Sequence, residues 1–417
     1  MLTRRRFLES AAVAPLALNA LQGAEPKRIA IVCTIYRYLS HAQHMGDRFL
    51  IGYPLNGEWH KPNMKVVSLY VDQKPDGDLS EARAKEFGFT VYPTIAETLR
   101  CGGKKLAVDA VLTIGEHGNY PRNEKGQILY PRYEFFEQAR KVFEEDGRVV
   151  PYYNDKNLSY SFEKAKKMVS AAHSMKFPML AGSSLPVTWR LPDIELPLNC
   201  EIEEAVMVGE GGSDAMDYHA LEAMQCMLER RKGGETGVKA VQMITGDAVW
   251  KAGEDGRYSK ALLTSALSRS DTPLGLTVQD GRTQDLVGNG ELPKLVKEPA
   301  AYFIEYRDGL KATLLMLNGA IKDYNFAARV KGLGIQATST QFFLSPVPNV
   351  TYSAPLMSKA EQMFATGVAP YPVERTLIVS GILESCLTSK VQDQKRLETP
   401  YLGVTYRAPT QSQYARS

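Results

Sequence analysis

Residues Arg28–Thr34 form a short apolar run rich in branched side chains, the length and make-up of a buried strand. Residues 39–50 are long enough for a helix, and Val66–Val71 repeats the strand pattern up to Asp72. Leu79–Phe87 reads as a helix with Glu81, Arg83, Lys85 and Glu86 on its polar side, stopped by Gly88. A strand at Phe89–Tyr92, a short helix at Ile95–Leu99 and a strand at Ala107–Ile114 follow. A helix at Tyr133–Glu145 and a strand at Val149–Tyr153 complete the series. Strand–helix alternation at this spacing predicts a parallel sheet with right-handed crossovers, a Rossmann-like α/β domain over 26–157. Ligands of such sheets lie beyond the carboxyl ends of the strands. Here those ends are Cys33-Thr34, Asp72, Gly115-Glu116-His117 and Asn154-Asp155-Lys156.

From about Ser159 the alternation stops. Phe162–Ser174 reads as a helix and Phe177–Ser184 as a strand entering a turn. Longer alternating strands follow at Glu201–Val208, Val238–Gly246, Ala301–Arg307 and Lys311–Leu317, the last two joined by the hairpin signal Asp308-Gly309. Phe326–Val330 and Thr338–Phe343 extend the same sheet. The expectation is an α+β domain over 158–417 with a mainly antiparallel open sheet and a closing helix near 375–390. The sheet's open face would serve as a substrate wall or a homo-oligomer surface. A helix over Asp217–Arg231 carries Met224, Met227 and Leu228 toward the core, and the polar stretch 271–292 reads as a surface loop.

Composition narrows the picture. At 417 residues the chain exceeds the roughly 250–300 that one core holds, so two domains are expected. A net charge of +3, with no basic run beyond the amino terminus, excludes a nucleic-acid footprint. No apolar stretch reaches the about 20 residues that would span a bilayer. Five scattered cysteines without a C-x-x-C pair indicate neither a zinc site nor a disulfide framework. Residues 1–25 read as a twin-arginine signal: Thr3-Arg4-Arg5-Arg6-Phe7-Leu8, a mildly apolar Ala11–Leu21, then Gly23-Ala24. The protein is therefore expected outside the cytoplasm, in the periplasm or its equivalent.

Several motifs together resemble the Gfo/Idh/MocA oxidoreductases. They are Asp72 with Ala82 through Gly88, then Val91-Tyr92-Pro93-Thr94, Val108 through Leu112, and Asp155-Lys156-Asn157. Gly211-Gly212-Ser213-Asp214 to His219 and the closing Arg375–Leu387 with Arg396–Pro400 continue the likeness over most of the chain. The resemblance implies a sugar or polyol oxidoreductase using NAD(P), with a small-molecule carbohydrate as its partner. It makes Lys156 the residue that orients substrate hydroxyls and His219 the general acid/base. Asp72 is the ribose-binding acid, and Thr34, Glu116 and His117 join it at the strand ends as candidate cofactor contacts. This chain departs from the family at two places. Cys33, Ile35 and Tyr38 fall where the family has the glycines of G-x-G-x-x-G, which let a pyrophosphate approach the backbone. Ala215 falls where the family has an Asp four residues before the His, leaving Asp217 or Glu222 to orient the imidazole.

A second constellation stands apart from the family. His41 and His44 lie one helical turn apart, His60 is nearby in sequence, and Glu116-His117 ends a strand. His41, His44 and His117 are thus candidate ligands for a divalent metal in the space a dinucleotide would fill. Arg122, Tyr130, Pro131 and Arg132 form a loop suited to gripping a sugar or an anion. Three functions remain open: an exported sugar or polyol oxidoreductase; a carbohydrate lyase or hydrolase using a metal or the Lys/His pair; and a non-catalytic sugar-binding subunit.

Overall fold

The computed structural model describes residues 25–211, 214–275, 285–333 and 337–416, so the expected export signal and the pair 212–213 lie outside the described residues. The first half runs β1 (Lys27–Cys33), α1 (His41–Ile51), a small hairpin β2 (Tyr53–Leu55) and β3 (Glu58–His60), β4 (Met64–Val71), α2 (Ser80–Phe87) and β5 (Thr90–Val91). It continues with α3 (Ile95–Arg100), β6 (Ala110–Ile114), α4 (Arg132–Asp146), β7 (Tyr152–Asp155), α5 (Phe162–Met175) and β8 (Met179–Gly182). Six of these strands pair in the order β5-β4-β1-β6-β7-β8, every pair parallel. Helices cover both faces, which is why Ile29 through Cys33 are all within 1% of full burial. Growth of the sheet reverses direction at β1, and such a reversal opens the usual ligand crevice. The sheet does not stop at 157. Strand β8, reached through α5, is its sixth member and carries the first unit to Gly182.

The second half comprises β9 (Arg190–Leu191), β10 (Ile202–Gly209), α6 (Asp214–Leu228), β11 (Val238–Thr245), α7 (Asp247–Glu254), α8 (Lys260–Leu267) and α9 (Leu292–Leu295). Then come β12 (Ala300–Tyr306), β13 (Lys311–Met316), β14 (Tyr324–Val330), β15 (Thr338–Phe342), α10 (Ser353–Thr366), α11 (Glu374–Val391) and β16 (Leu397–Glu398). Its sheet is ordered β16-β11-β12-β13-β10-β14-β15-β9, with β10–β13 as the one parallel pair among antiparallel neighbours. The sheet is open, with β16 and β9 at its edges. The two-residue period sorts its side chains: Ala205 and Met207 of β10 enter the large core with α6 and α11. Val206 and Val208 point the other way, onto Leu262, Leu263 and Ala266 of α8. The far face expected to be bare is thus partly covered by α7 and α8.

Two features tie distant segments of the chain together, one within the second half and one between the halves. Arg375 at the start of α11 donates two hydrogen bonds to Glu229, just past α6, at 2.6 and 2.8 Å, with both side chains buried. Helix α10 returns to the first unit, where Leu356, Met357, Met363 and Phe364 pack with Ile31, Met45 and Phe49.

Candidate functional site

Lys156 follows the last residue of β7 with a left-handed backbone, φ 66°. Its N–H donates to the Gly182 carbonyl at 3.1 Å, tying the ends of β7 and β8 together. Its side chain is buried, and Nζ meets Nε2 of His219 on the first turns of α6. The other ring nitrogen, Nδ1, meets the Ser183 hydroxyl. Ser183 is itself fixed. Its Oγ accepts the Leu185 N–H at 3.1 Å, and its own N–H donates to Glu222 Oε2. Glu222, one turn beyond His219, also accepts the Thr376 hydroxyl at 2.6 Å. Gly182 is required here: at φ 131° it sits where a Cβ would lie 2.6 Å from Glu222 Oε1.

Burial sets the protonation of this array. Desolvation, reinforced by the Lys156 charge, holds His219 well below the ordinary imidazole value. Desolvation also lowers Lys156, against the pull of Glu116 and Asp155. Burial pushes Glu222 up to about 7. His219 is therefore a neutral imidazole. The tautomer that satisfies both neighbours carries its proton on Nδ1, toward Ser183, and turns the Nε2 lone pair toward Lys156.

The crevice at the reversal point is occupied by side chains. Nδ1 of His41 lies 2.7 Å from Asp155 Oδ2, and Arg132 donates to Glu116, with Asp155, Glu116 and Arg132 all buried. The Thr34 hydroxyl donates to the Glu116 carbonyl at 2.6 Å, so this candidate cofactor contact serves to join β1 to β6. Asp72 accepts the Tyr70 hydroxyl at 2.7 Å on one oxygen and the Tyr120 hydroxyl at 2.6 Å on the other. His117, at φ 69°, stacks its ring edge-on against His41 with centroids 5.0 Å apart.

The structure brings Lys156 and His219 together, as the sequence suggested, and corrects two other expectations. Asp217 does not orient the imidazole; it accepts the Tyr302 hydroxyl from β12, and Ser183 holds the ring instead. His41, His44 and His117 do cluster, the His41 ring packing edge to face with each of the other two at centroid distances of 5.0 Å. Among the described residues no group of three metal-donor side chains is placed to hold an ion, so the divalent-metal alternative is not supported. His60 lies apart, paired with Glu361 at 2.9 Å. Arg132 donates to Glu116 and lies over the Tyr130 ring, while Arg122 of the same loop lines the cleft beside α6. Ser183 was missed because its strand was assigned to the second domain. Placed on the parallel sheet, Gly182-Ser183 becomes another carboxyl-end position, which is where the ligand rule looks.

Beside the first turn of α6 opens a cleft of about 570 Å³ whose lining includes Arg122, Asp214, Asp217, Thr245, Lys297 and Asn318. Desolvation raises the Asp214 carboxyl at its edge, against the nearby charges of Arg132 and Lys156.

No protein-family model matches the chain, and no curated protein matches it by sequence. Solved structures do match its fold. GenD2 from gentamicin A biosynthesis, in complex with NAD, aligns at TM-score 0.54 and 13% identity over 90% of this chain and 97% of that one. Myo-inositol 2-dehydrogenase from Lactobacillus plantarum aligns at 0.51 and 11% over 89% and 99%. Myo-inositol dehydrogenase from Lactobacillus casei, in complex with NAD(H) and myo-inositol, aligns at 0.50 and 12% over 93% and 100%. At such identities the likeness is one of architecture. A six-stranded parallel sheet joined to a large, mostly antiparallel one gives this chain the two-domain fold of the Gfo/Idh/MocA-type dehydrogenases.

Proposed function

We propose that this protein is an exported, oxidoreductase-like enzyme that works on a sugar or polyol, using Lys156 and His219 to exchange a proton with a substrate hydroxyl. The observation that carries the reading is the meeting of Lys156 Nζ with the Nε2 face of a neutral His219, at the carboxyl ends of β7 and β8. An alcohol oxygen that enters between them gives its proton to Nε2, while the ammonium stabilises the alkoxide left behind. Ser183 keeps the ring in the accepting tautomer. The cleft beside α6 has the size of an ordinary small-molecule site, about 300–1,000 Å³; Asp214 and Asp217 of that helix line it, and Lys156 and His219 do not. The L. casei relative is named for binding myo-inositol, which favours the same substrate class. Export rests on the amino-terminal Arg4-Arg5-Arg6 pattern, and self-association on whatever part of the second sheet α7 and α8 leave free.

The packed first turn favours a second reading, a lyase- or hydrolase-type reaction that needs the proton pair and no hydride acceptor. A screen of sugars and polyols for turnover, with and without NAD(P), separates the two. In either case Lys156→Met and His219→Asn are expected to cut kcat by about 10²–10⁴-fold, the usual weight of general acid–base help. Full activity in both variants would remove the roles given to Lys156 and His219, and no turnover by the parent in the screen would leave a binding protein.

A further inference from the structure

We infer that the crevice this fold offers to a dinucleotide is filled by the chain itself, and that the protein does not seat NAD(P) there. The inference does not depend on the proton-exchange roles given to Lys156 and His219; where it holds, that pair serves the second reading, which needs no hydride acceptor. It rests first on the backbone. The parallel ladder runs past the end of β1: Thr34 N–H donates to the Ile114 carbonyl at 3.2 Å, and Asp72 and Gln73 N–H groups donate to Cys33 and Thr34 at 3.0 and 2.8 Å. The strands on either side therefore do not part at the first turn. The loop after β6 then crosses above that turn to reach the end of β4. Asn119 and Gln73 exchange two hydrogen bonds at 2.9 and 3.0 Å, and the Tyr120 hydroxyl reaches Asp72. Beneath this bridge a Cβ on Gly118 would lie 3.4 Å from the Ile35 side chain.

The first part of the turn, Cys33 through Tyr36, is built as core, while Arg37 and Tyr38 face outward. Tyr36 is fully buried, with its hydroxyl donating to Asp47 at 2.7 Å and its carbonyl accepting the Leu79 N–H at 2.7 Å. The amino end of α1, where a pyrophosphate would be received, is capped by its own side chains. Ser40 Oγ accepts the Gln43 N–H, and Gln43 Oε1 accepts the Leu39 N–H at 3.1 Å. Charge points the same way. Glu116 and Asp155 are buried carboxylates at the ends of β6 and β7, matched by Arg132 and Lys156. A pyrophosphate would set further negative charge beside these two buried carboxylates.

The test uses the full chain. Native mass spectrometry is expected to find no nicotinamide, and NADH fluorescence titration no saturable binding up to about 1 mM, the top of the ordinary KM range. Hydrogen exchange supplies a second signature: the Thr34 and Gln73 amides should be protected in the free protein and unchanged by NADH. Asp72→Asn should lower the melting temperature, through Tyr70 and Tyr120, without altering any response to nucleotide. A co-purified NAD(P), or micromolar NADH binding that protects those amides and fails in Asp72→Asn, would overturn the inference. If no sugar is turned over while the amides stay protected, only the proposed function falls.

Discussion

Lys156 and His117 both adopt left-handed backbones at the ends of neighbouring strands, a conformation that L side chains accept reluctantly. Such positions persist where the surroundings over-determine them, and here those surroundings are the ring, hydroxyl and carboxylate partners of the site. Ser183 is the residue whose removal most cleanly isolates positioning from chemistry. Ser183→Ala is expected to lower kcat about 10-fold, the worth of one lost buried hydrogen bond, while KM stays unchanged. The imidazole is then free to take either tautomer, which lowers the accepting fraction at every pH alike; an unchanged kcat would remove the role. Glu222 gives a stability test at the same scale. A carboxyl held at about 7 in the fold, against an ordinary 4.5, binds its proton more tightly when folded. It therefore favours the fold below about 4.5, and that contribution is lost as pH rises to about 7. Glu222→Gln should gain stability relative to the parent across that window, as read from denaturant midpoints at a series of pH values.

At the scale of elements, the parallel strands were legible because both faces are buried and the runs are continuously apolar. The hairpin at Asp308-Gly309 was legible because Gly309 supplies the positive φ, 94°, that its turn needs. Less legible was β8, whose four residues carry no sign of which sheet they join. Helices α7, α8 and α10 escaped for a related reason: each is fixed by a distant partner rather than by a strong local pattern. In the site, Lys156 and His219 could be picked out by their place in known motifs. The plugging of the crevice could be sensed from Cys33, Ile35 and Tyr38, but not the bridge of Tyr120 and Asn119, which depends on how a loop folds back. Two element-level predictions follow from close packing. Gly182→Ala should destabilise by about 1–3 kcal/mol, since the added methyl meets the Glu222 carboxyl. Arg375→Met leaves Glu229 buried with its main partner gone and should cost about 3–5 kcal/mol, measured by urea unfolding.

For the whole molecule, histidines contribute to the acid limb of stability beside the carboxylates held low by cation partners, such as Glu116, against the pull of its burial, and Asp146. His41, His44, His117 and His219, four of the six in the chain, are pushed below the ordinary 6.5, chiefly by burial. Each takes a proton in the unfolded chain that it refuses in the fold, so their contribution is present above about pH 6.5 and lost as pH falls through it. His60 works in the opposite sense, held up by its hydrogen bond to Glu361. His44→Gln should reduce the proton uptake on unfolding near pH 6 by about one, readable from the slope of stability against pH; an unchanged slope would show His44 charged in the fold. The return of α10 has a consequence for how the chain is made. Met45 and Phe49, emerging early from the ribosome, wait for Leu356 and Phe364 to cover them, some three hundred residues later. A nascent chain halted near residue 345 would keep that greasy wall uncovered and should attract chaperones, whereas one released past 370 would not.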